Sequence, residues 1–325
     1  MNATHQPGVI AVTGLCTFLG RGLVSRLLEC DPDIRIVGLD YRRPQRLDDR
    51  VRFARIDLTD PIAGSRIAEV LDREGAEALV HMAFRTNPTD DIEADHELET
   101  IGSLHVLNAC SAANVRRVVL ASSTMLYGPR PDNPNFLTEE HPLRGHPDAH
   151  SVKDRVEVEG LFANWAARYP ANEVTVLRSC WVVGPHFSNR VTRYLSLPVV
   201  PKLFGYDPLM QFVHEEDCLD AFERATLESH PGVYNVAGRG VLPFSTLLRL
   251  AGKRILSLPP RLLYRMAYYP AQSQTGDAPA AFYDYLRHLW VADAARGWDA
   301  FGEPCYSTKE AWISFVSALR MRRYR

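Results

Sequence analysis

Gly14 and Gly20 bracket the run Thr13-Gly14-Leu15-Cys16-Thr17-Phe18-Leu19-Gly20, which follows a short apolar stretch over 8–12. A glycine at the first position permits a tight turn, and one at the last lets a helix pack closely on the preceding strand. The first turn of such a helix carries unpaired N–H groups that suit a diphosphate. Asp40 closes the next apolar stretch, 20 residues after Gly20. A carboxylate there can accept hydrogen bonds from the hydroxyls of an adenosine ribose. Its charge repels a 2′-phosphate, so the pattern points to NAD, with Arg42 and Arg43 nearby leaving NADP as the lesser alternative. Further along stands His150, an imidazole that ordinarily titrates at about pH 6.5 and could exchange a proton with a substrate. A histidine in such a place is more often a surface or capping residue.

These groups need a scaffold that gathers strand ends. Short β-branched runs at 8–12, 35–39, 51–56, 78–82, 117–121 and 174–177 alternate with helical patterns, including a long one across 92–113. Such runs joined by helical crossovers predict a parallel sheet with helices on both faces. The expected fold is α/β, a Rossmann-type doubly wound parallel sheet with a smaller C-terminal substrate domain. Residues 1–178 are expected to form the dinucleotide-binding domain and 179–325 the smaller one, with 211–237 crossing back to the first sheet. Past Arg178 the prolines thicken, while 215–228 and 244–250 read as helices and 233–236 as an edge strand. The stretch 259–272, with Leu262, Leu263, Tyr264, Met266, Tyr268 and Tyr269, suits ordinary packing better than a lid over a pocket.

The glycine run resembles the Thr-Gly-x-x-Gly-Phe-Leu-Gly turn of the extended short-chain dehydrogenase/reductases, the NAD-dependent epimerase/dehydratase family. Thr17 stands at that family's middle glycine, where a side chain crowds the diphosphate unless its hydroxyl donates to it. The resemblance implies that Gly14, Thr17, Phe18, Leu19 and Gly20 cradle the diphosphate and Asp40 holds the ribose. It gives the adenine to Asp57 and Leu58, and the floor of the cofactor site to Met82 and Ala83. The segment from Leu120 to Gly128 resembles the family's Ser-Ser-x-x-Val-Tyr-Gly, which puts Ser123 at the hydroxyl that orients substrate. Tyr127 belongs to that motif and is not the catalytic tyrosine.

The family's chemistry uses a Tyr-x-x-x-Lys pair, in which the lysine lowers the phenol's pKa. Here the corresponding stretch reads His150-Ser151-Val152-Lys153-Asp154-Arg155. If Lys153 is the lysine, Ala149 stands at the tyrosine position; if Arg155 replaces lysine, Ser151 replaces tyrosine. The second register is preferred because Val158, Leu161, Phe162, Trp165 and Ala166 then continue one apolar stripe. Neither register holds a tyrosine. Ser123, His150 and Arg155 remain as catalytic candidates, with Arg155 suited to the nicotinamide ribose. Glu99 replaces a proton-relay asparagine of the family, Trp181 an asparagine of many nucleotide-sugar enzymes, and Gln211 an arginine that often meets a substrate phosphate.

The resemblance therefore implies an NAD-dependent epimerase, dehydratase or reductase acting on a nucleotide sugar or similar hydroxylated small molecule. The alternatives are a non-catalytic NAD(H)-binding sensor or scaffold, and a structural subunit. By analogy, helices near 97–113 and 153–168 form a homodimer interface. A formal net charge of −2 gives no electrostatic case for nucleic acid or an anionic membrane. Six cysteines without a Cys-x-x-Cys pair suit a reducing compartment, and no metal is expected. The polar first eight residues and the lack of any run of about 18 apolar residues make the cytoplasm the default location. The basic run from Arg320 to Arg325 reads as a solvated tail.

Overall fold

The computed structural model describes residues 6–87, 89–267 and 279–322. Seven strands form one all-parallel sheet: Val9–Thr13 (β1), Arg35–Asp40 (β2), Val51–Arg55 (β3), Ala78–His81 (β4), Arg117–Ser123 (β5), Glu173–Ser179 (β6) and Gly232–Val236 (β11). Their spatial order is β11-β6-β5-β4-β1-β2-β3. Every residue of β1 is buried, as its unbroken Val-Ile-Ala-Val-Thr sequence requires of a strand covered on both faces. Phe18–Cys30 (α1) and Glu215–Leu227 (α7) pack on one face through Leu23, Leu27, Cys218 and Phe222. Ala63–Glu74 (α2), Gly102–Ala112 (α4) and His150–Arg168 (α5) cover the other through Ile67, Leu71, Val106 and Phe162. This is the expected Rossmann-type doubly wound sheet.

The long helical pattern over 92–113 is not one regular helix. Ile92–His96 (α3) passes into a π turn at Glu97–Ile101 before α4 begins. The Ser103 hydroxyl donates to the Glu99 carbonyl beside that turn. A π turn inserts an extra residue and re-aims the side chains within it, and Glu99 is one of them.

After β6 the chain builds a separate aromatic-rich core. Trp181–Val183 (β7) pairs in parallel with Phe212–His214 (β10), and Val199–Leu203 (β8) with Arg254–Leu258 (β13). Leu209–Met210 (β9) pairs antiparallel with Leu242–Pro243 (β12). Arg190–Ser196 (α6) and Phe244–Leu250 (α8) pack into that core with Trp290 and Trp312. Between α7 and β12 the chain returns to the main sheet, where β11 pairs with β6 in the register Val233 to Val176. Within 259–272, Pro260–Ala267 is a helix with Leu263 and Ala267 buried, and 268–272 lie outside the described residues. Arg320, Met321 and Arg322, read as a tail, belong to the helix Thr308–Arg322, where Arg320 donates to the Ala251 carbonyl at 3.1 Å. Among the described residues no helix is long and apolar enough to cross a membrane.

Candidate active site

Parallel strands place all their carboxyl ends on one edge, and a crevice opens where neighbouring crossovers leave in opposite directions. That switch lies between β1 and β4. The turn after β1 depends on two glycines. Gly14 has φ +73°, and a Cβ on it would lie 2.5 Å from the Met82 carbonyl oxygen. A Cβ on Gly20 would lie 2.3 Å from the Gly14 oxygen. The turn is thus closed to side chains at both positions.

Thr17 is the N-cap of α1. Its hydroxyl donates to the Gly14 oxygen at 2.8 Å and accepts from the Gly20 amide at 3.0 Å. The hydroxyl is therefore spent inside the turn and does not donate outward to a diphosphate. Phe18 and Leu19 follow as the first two helical residues, whose amides have no acceptor within the helix. Across the crevice, Asp40 accepts from the Cys16 amide at 2.8 Å and the Arg42 amide at 3.2 Å. An ionised carboxylate has about four lone-pair sites, so two ribose hydroxyls can still be accommodated. Asp57 accepts from the amide and hydroxyl of Thr59, and Leu58 is buried against Gly102. Gly14, Asp40, Asp57–Leu58 and Met82–Ala83 thus follow the ends of four adjoining strands. The closed turn, the two outward amides and the acidic strand end fit a dinucleotide.

Beneath Met82 runs a buried polar chain. The Met82 amide donates to Thr13 Oγ1 at 3.1 Å, Thr13 Oγ1 meets His81 Nδ1 at 2.7 Å, and His81 Nε2 meets Ser103 Oγ at 2.9 Å. With Ser103 donating to the Glu99 carbonyl, the network assigns the His81 proton to Nε2. Burial holds the His81 pKa down to about 3, so the ring is neutral.

Thr17, Phe18, Leu19, Met82, Ser123 and Arg155 line one cavity of about 190 Å³. Ser123 ends β5, and its Oγ accepts from the Met125 amide at 3.2 Å, which leaves its proton available to the cavity. Its neighbour Ser122 donates to Glu159, which also holds Arg178 through contacts of 2.6 to 3.1 Å. Arg178 in turn donates to the Tyr127 hydroxyl at 2.9 Å, and Tyr127 donates to Asn235 Oδ1 at 2.8 Å. Burial pushes the Tyr127 phenol up. This buried network braces the end of β5.

On α5, Ser151 and Arg155 line the cavity, one helical turn apart, whereas Lys153 is exposed. His150 begins α5 at the surface and does not line the cavity. Arg155 Nε donates to Glu99 Oε2 at 3.2 Å, and its Nη2 donates to the Arg85 carbonyl at 3.0 Å. Glu99 also accepts from the Arg85 amide at 3.0 Å. Complete burial pushes the Glu99 carboxyl up, and the Arg155 charge opposes that shift. Sequence reasoning missed Arg85, which lies only three residues past Met82, and Arg190 at the start of α6; both line the cavity. Arg85 carried the signal of a charge just beyond a strand end, whereas Arg190 lies in an irregular stretch with none.

Among the described residues, one group, His96, Asp154 and Glu157, brings three metal-capable atoms within 4.8 Å of one another. His96 Nδ1 already meets Asp154 Oδ1 at 2.9 Å.

The model of the NAD dependent epimerase/dehydratase family matches residues 10–237, from the first strand to the returning one. The chain belongs to this family. An uncharacterized protein of Mycobacterium tuberculosis is 31% identical over 319 residues, covering 96% of this chain and 84% of that protein. Among solved structures, the UDP-glucose 4-epimerase of Thermus thermophilus in complex with NAD aligns with a TM-score of 0.73 and 20% identity, over 96% of this chain and 99% of the other. The terminal R domain of the myxalamid PKS-NRPS biosynthetic pathway aligns with a TM-score of 0.80 and 18% identity, over 99% and 93%.

Proposed function

We propose that this protein is an NAD-dependent oxidoreductase that interconverts a secondary hydroxyl and a carbonyl on a small-molecule substrate. The observation that carries this reading is the meeting of Ser123 and Arg155 in the cavity that Thr17, Phe18, Leu19 and Met82 open onto. Bound along the strand ends, the dinucleotide supplies a hydride acceptor or donor at its nicotinamide. Ser123 donates a hydrogen bond to the substrate oxygen and fixes that oxygen's position. Arg155, held in place by Glu99, faces the same space with a permanent positive charge that stabilises negative charge developing on the oxygen. No histidine, lysine, tyrosine or carboxylate lines the cavity among the described residues. The proton therefore passes through the Ser151 hydroxyl or water, and His150, next to Ser151 and exposed, is assigned exchange with solvent.

Asp40 favours NAD over NADP by charge. The Thermus thermophilus epimerase takes a nucleotide sugar, and the substrate here shares with such molecules the oxidisable hydroxyl. Exposed Ile101 and Leu104 support the homodimer. A second reading, an NAD(H)-binding protein without turnover, is favoured by the lack of a histidine, lysine, tyrosine or carboxylate among the described lining residues.

Calorimetric titration with NAD⁺ and NADH, followed by absorbance at the nicotinamide band with candidate alcohols and ketones, tests both. Micromolar binding with an absorbance change supports the enzyme. Binding without any change across the substrate panel supports the second reading, and no binding defeats both.

A further inference from the structure

The wall of the cavity beyond Ser123 is apolar. It is formed by Met125, Leu126, Trp181, Val182, Phe187 and Val191. We propose that the molecule presented to Ser123 is a small ketone or secondary alcohol with an apolar body, and not a nucleotide-linked sugar. The proposal rests on the oxidoreductase reading above for the reacting oxygen, and on the cavity alone for the body that carries it.

Volume is the first argument. About 190 Å³ is less than the roughly 300–1,000 Å³ typical of pockets for larger ligands. The nicotinamide must share this space. Only a small body fits inside beside it, and most of a nucleotide-linked sugar would have to lie outside, through the open side of the cavity.

Polarity is the second. A hexose ring carries hydroxyls around most of its edge, and each needs a partner when taken out of water. Beyond the serines at the oxygen end, and apart from Thr86, Asn189 and the arginines, this wall offers thioether, aliphatic and aromatic surface. No aspartate or glutamate lines the cavity among the described residues.

The cationic groups are largely committed. Arg85 pairs with Asp95 at 2.5 Å and Arg155 with Glu99 at 3.2 Å. Arg190 lies with its guanidinium carbon 6.0 Å from the centre of the Phe282 ring. The N-terminus of α6 is closed by a capping box, in which Asn189 Oδ1 accepts from the Thr192 amide and Thr192 Oγ1 accepts from the Asn189 amide. A phosphate arriving there finds a helix end already capped.

Two further side chains are fixed in place. Trp181 donates through Nε1 to Met125 Sδ at 3.2 Å, stacks on Phe282 at 5.9 Å and meets the Trp290 ring edge-on at 5.1 Å. Gln211 is buried with its amide donating to the Ala292 carbonyl at 3.0 Å and accepting from the Ala292 amide at 3.1 Å. Opening a polar channel past Trp181 would break an aromatic cluster. Turning Gln211 toward a ligand would break both of its hydrogen bonds.

The test uses the full chain loaded with NADH. Binding of 4-phenyl-2-butanone, cyclohexanone and UDP-glucose is measured by saturation-transfer NMR; ketone turnover is read by loss of absorbance at the NADH band, and UDP-glucose turnover by gain of that band on chain loaded instead with NAD⁺. The ketones are expected to bind at least about tenfold more tightly than UDP-glucose. Val191→Thr, which keeps the shape and adds a hydroxyl, is expected to weaken ketone binding severalfold and leave NADH affinity unchanged. UDP-glucose binding as tightly as the ketones overturns the proposal, as does failure of both ketones to bind. Ketone binding without NADH loss upholds the apolar site and defeats the oxidoreductase reading. Turnover of UDP-glucose alone does the reverse.

Discussion

Arg155 Nε lies 3.2 Å from Glu99 Oε2, so an arginine that lines the cavity is held by a buried carboxylate 56 residues away in the chain. The Glu99 side chain is 1% exposed and that of Arg155 26%. Removing either partner leaves a poorly solvated charge, which typically costs about 3–5 kcal/mol. Glu99→Ala and Arg155→Ala are each expected to lower stability by that order in urea titrations. The double change Glu99→Ala with Arg155→Ala should cost clearly less than the two single changes together, because contacting residues are not additive. Additive losses would show that the pair does not act as a unit.

Thr17 gives the second prediction. Because its hydroxyl caps α1, Thr17→Ala should cost about 0.5–2 kcal/mol and Thr17→Gly only a few tenths. Thr17→Gly should change NAD affinity by less than about threefold (under roughly 0.7 kcal/mol), since the hydroxyl is engaged inside the turn. Denaturant titration and calorimetry read the two effects separately. A large gain in affinity would mean that threonine obstructs the diphosphate.

Gly14 should tolerate nothing larger. Its φ of +73°, and a Met82 carbonyl oxygen only 2.5 Å from where a Cβ would sit, leave no room for a side chain. Gly14→Ala is expected to destabilise the fold by more than about 1 kcal/mol and to weaken NAD binding at least about tenfold. Far-ultraviolet circular dichroism on melting and calorimetric titration check each part.

If the cavity turns over a substrate, Ser123 and His150 should differ sharply. Loss of a hydrogen-bond donor aimed at the reacting oxygen typically costs about 10²–10³ in kcat, and Ser123→Ala is expected to behave so. His150→Ala, at the exposed start of α5, should cost less than about tenfold. Equal losses in the two variants, measured by steady-state kinetics, would put the imidazole at the reacting atoms.

His96 provides a pH dependence away from the cavity. Its hydrogen bond to Asp154 raises its pKa above the ordinary 6.5. A pKa raised on folding stabilises fully below about 6.5 and loses that contribution as pH climbs through the folded value. The His96 side chain is 42% exposed, so solvent screening limits the effect to at most about 1 kcal/mol. Asp154→Asn should bring the His96 titration, followed by NMR, back toward 6.5 and flatten stability over that window.

Much of the nucleotide half was legible because its signals are local. A left-handed turn asks for glycine at Gly14, and a run of β-branched residues ending in Asp40 marks a strand end by itself. The direction of the Thr17 hydroxyl was not legible, since it depends on two backbone groups brought together only by the folded turn. Glu99 and Arg155 are 56 residues apart, and each alone looks like a loss. Only the packing of the π turn against α5 makes them partners. That π turn was hidden for a similar reason: a phase shift of one residue inside a helical pattern does not say by itself whether the helix bulges or merely buries a wider face. Arg190 escaped notice because it lies beyond Arg178, where neither strand nor helix periodicity marks which side chains turn inward.

The returning strand β11 bears on how the chain is made. It lies against β6 and brings Asn235 to the Tyr127 hydroxyl, closing the network that holds Arg178 and Glu159. During synthesis β6 leaves the ribosome more than 50 residues before β11, and until then it is an open edge beside a Tyr127 hydroxyl that lacks its acceptor. A nascent chain halted between the two strands would be a target for chaperones or for unwanted strand pairing. A duplicated or shuffled gene fragment ending near residue 180 would inherit the same defect, so the two halves are constrained to travel together in evolution.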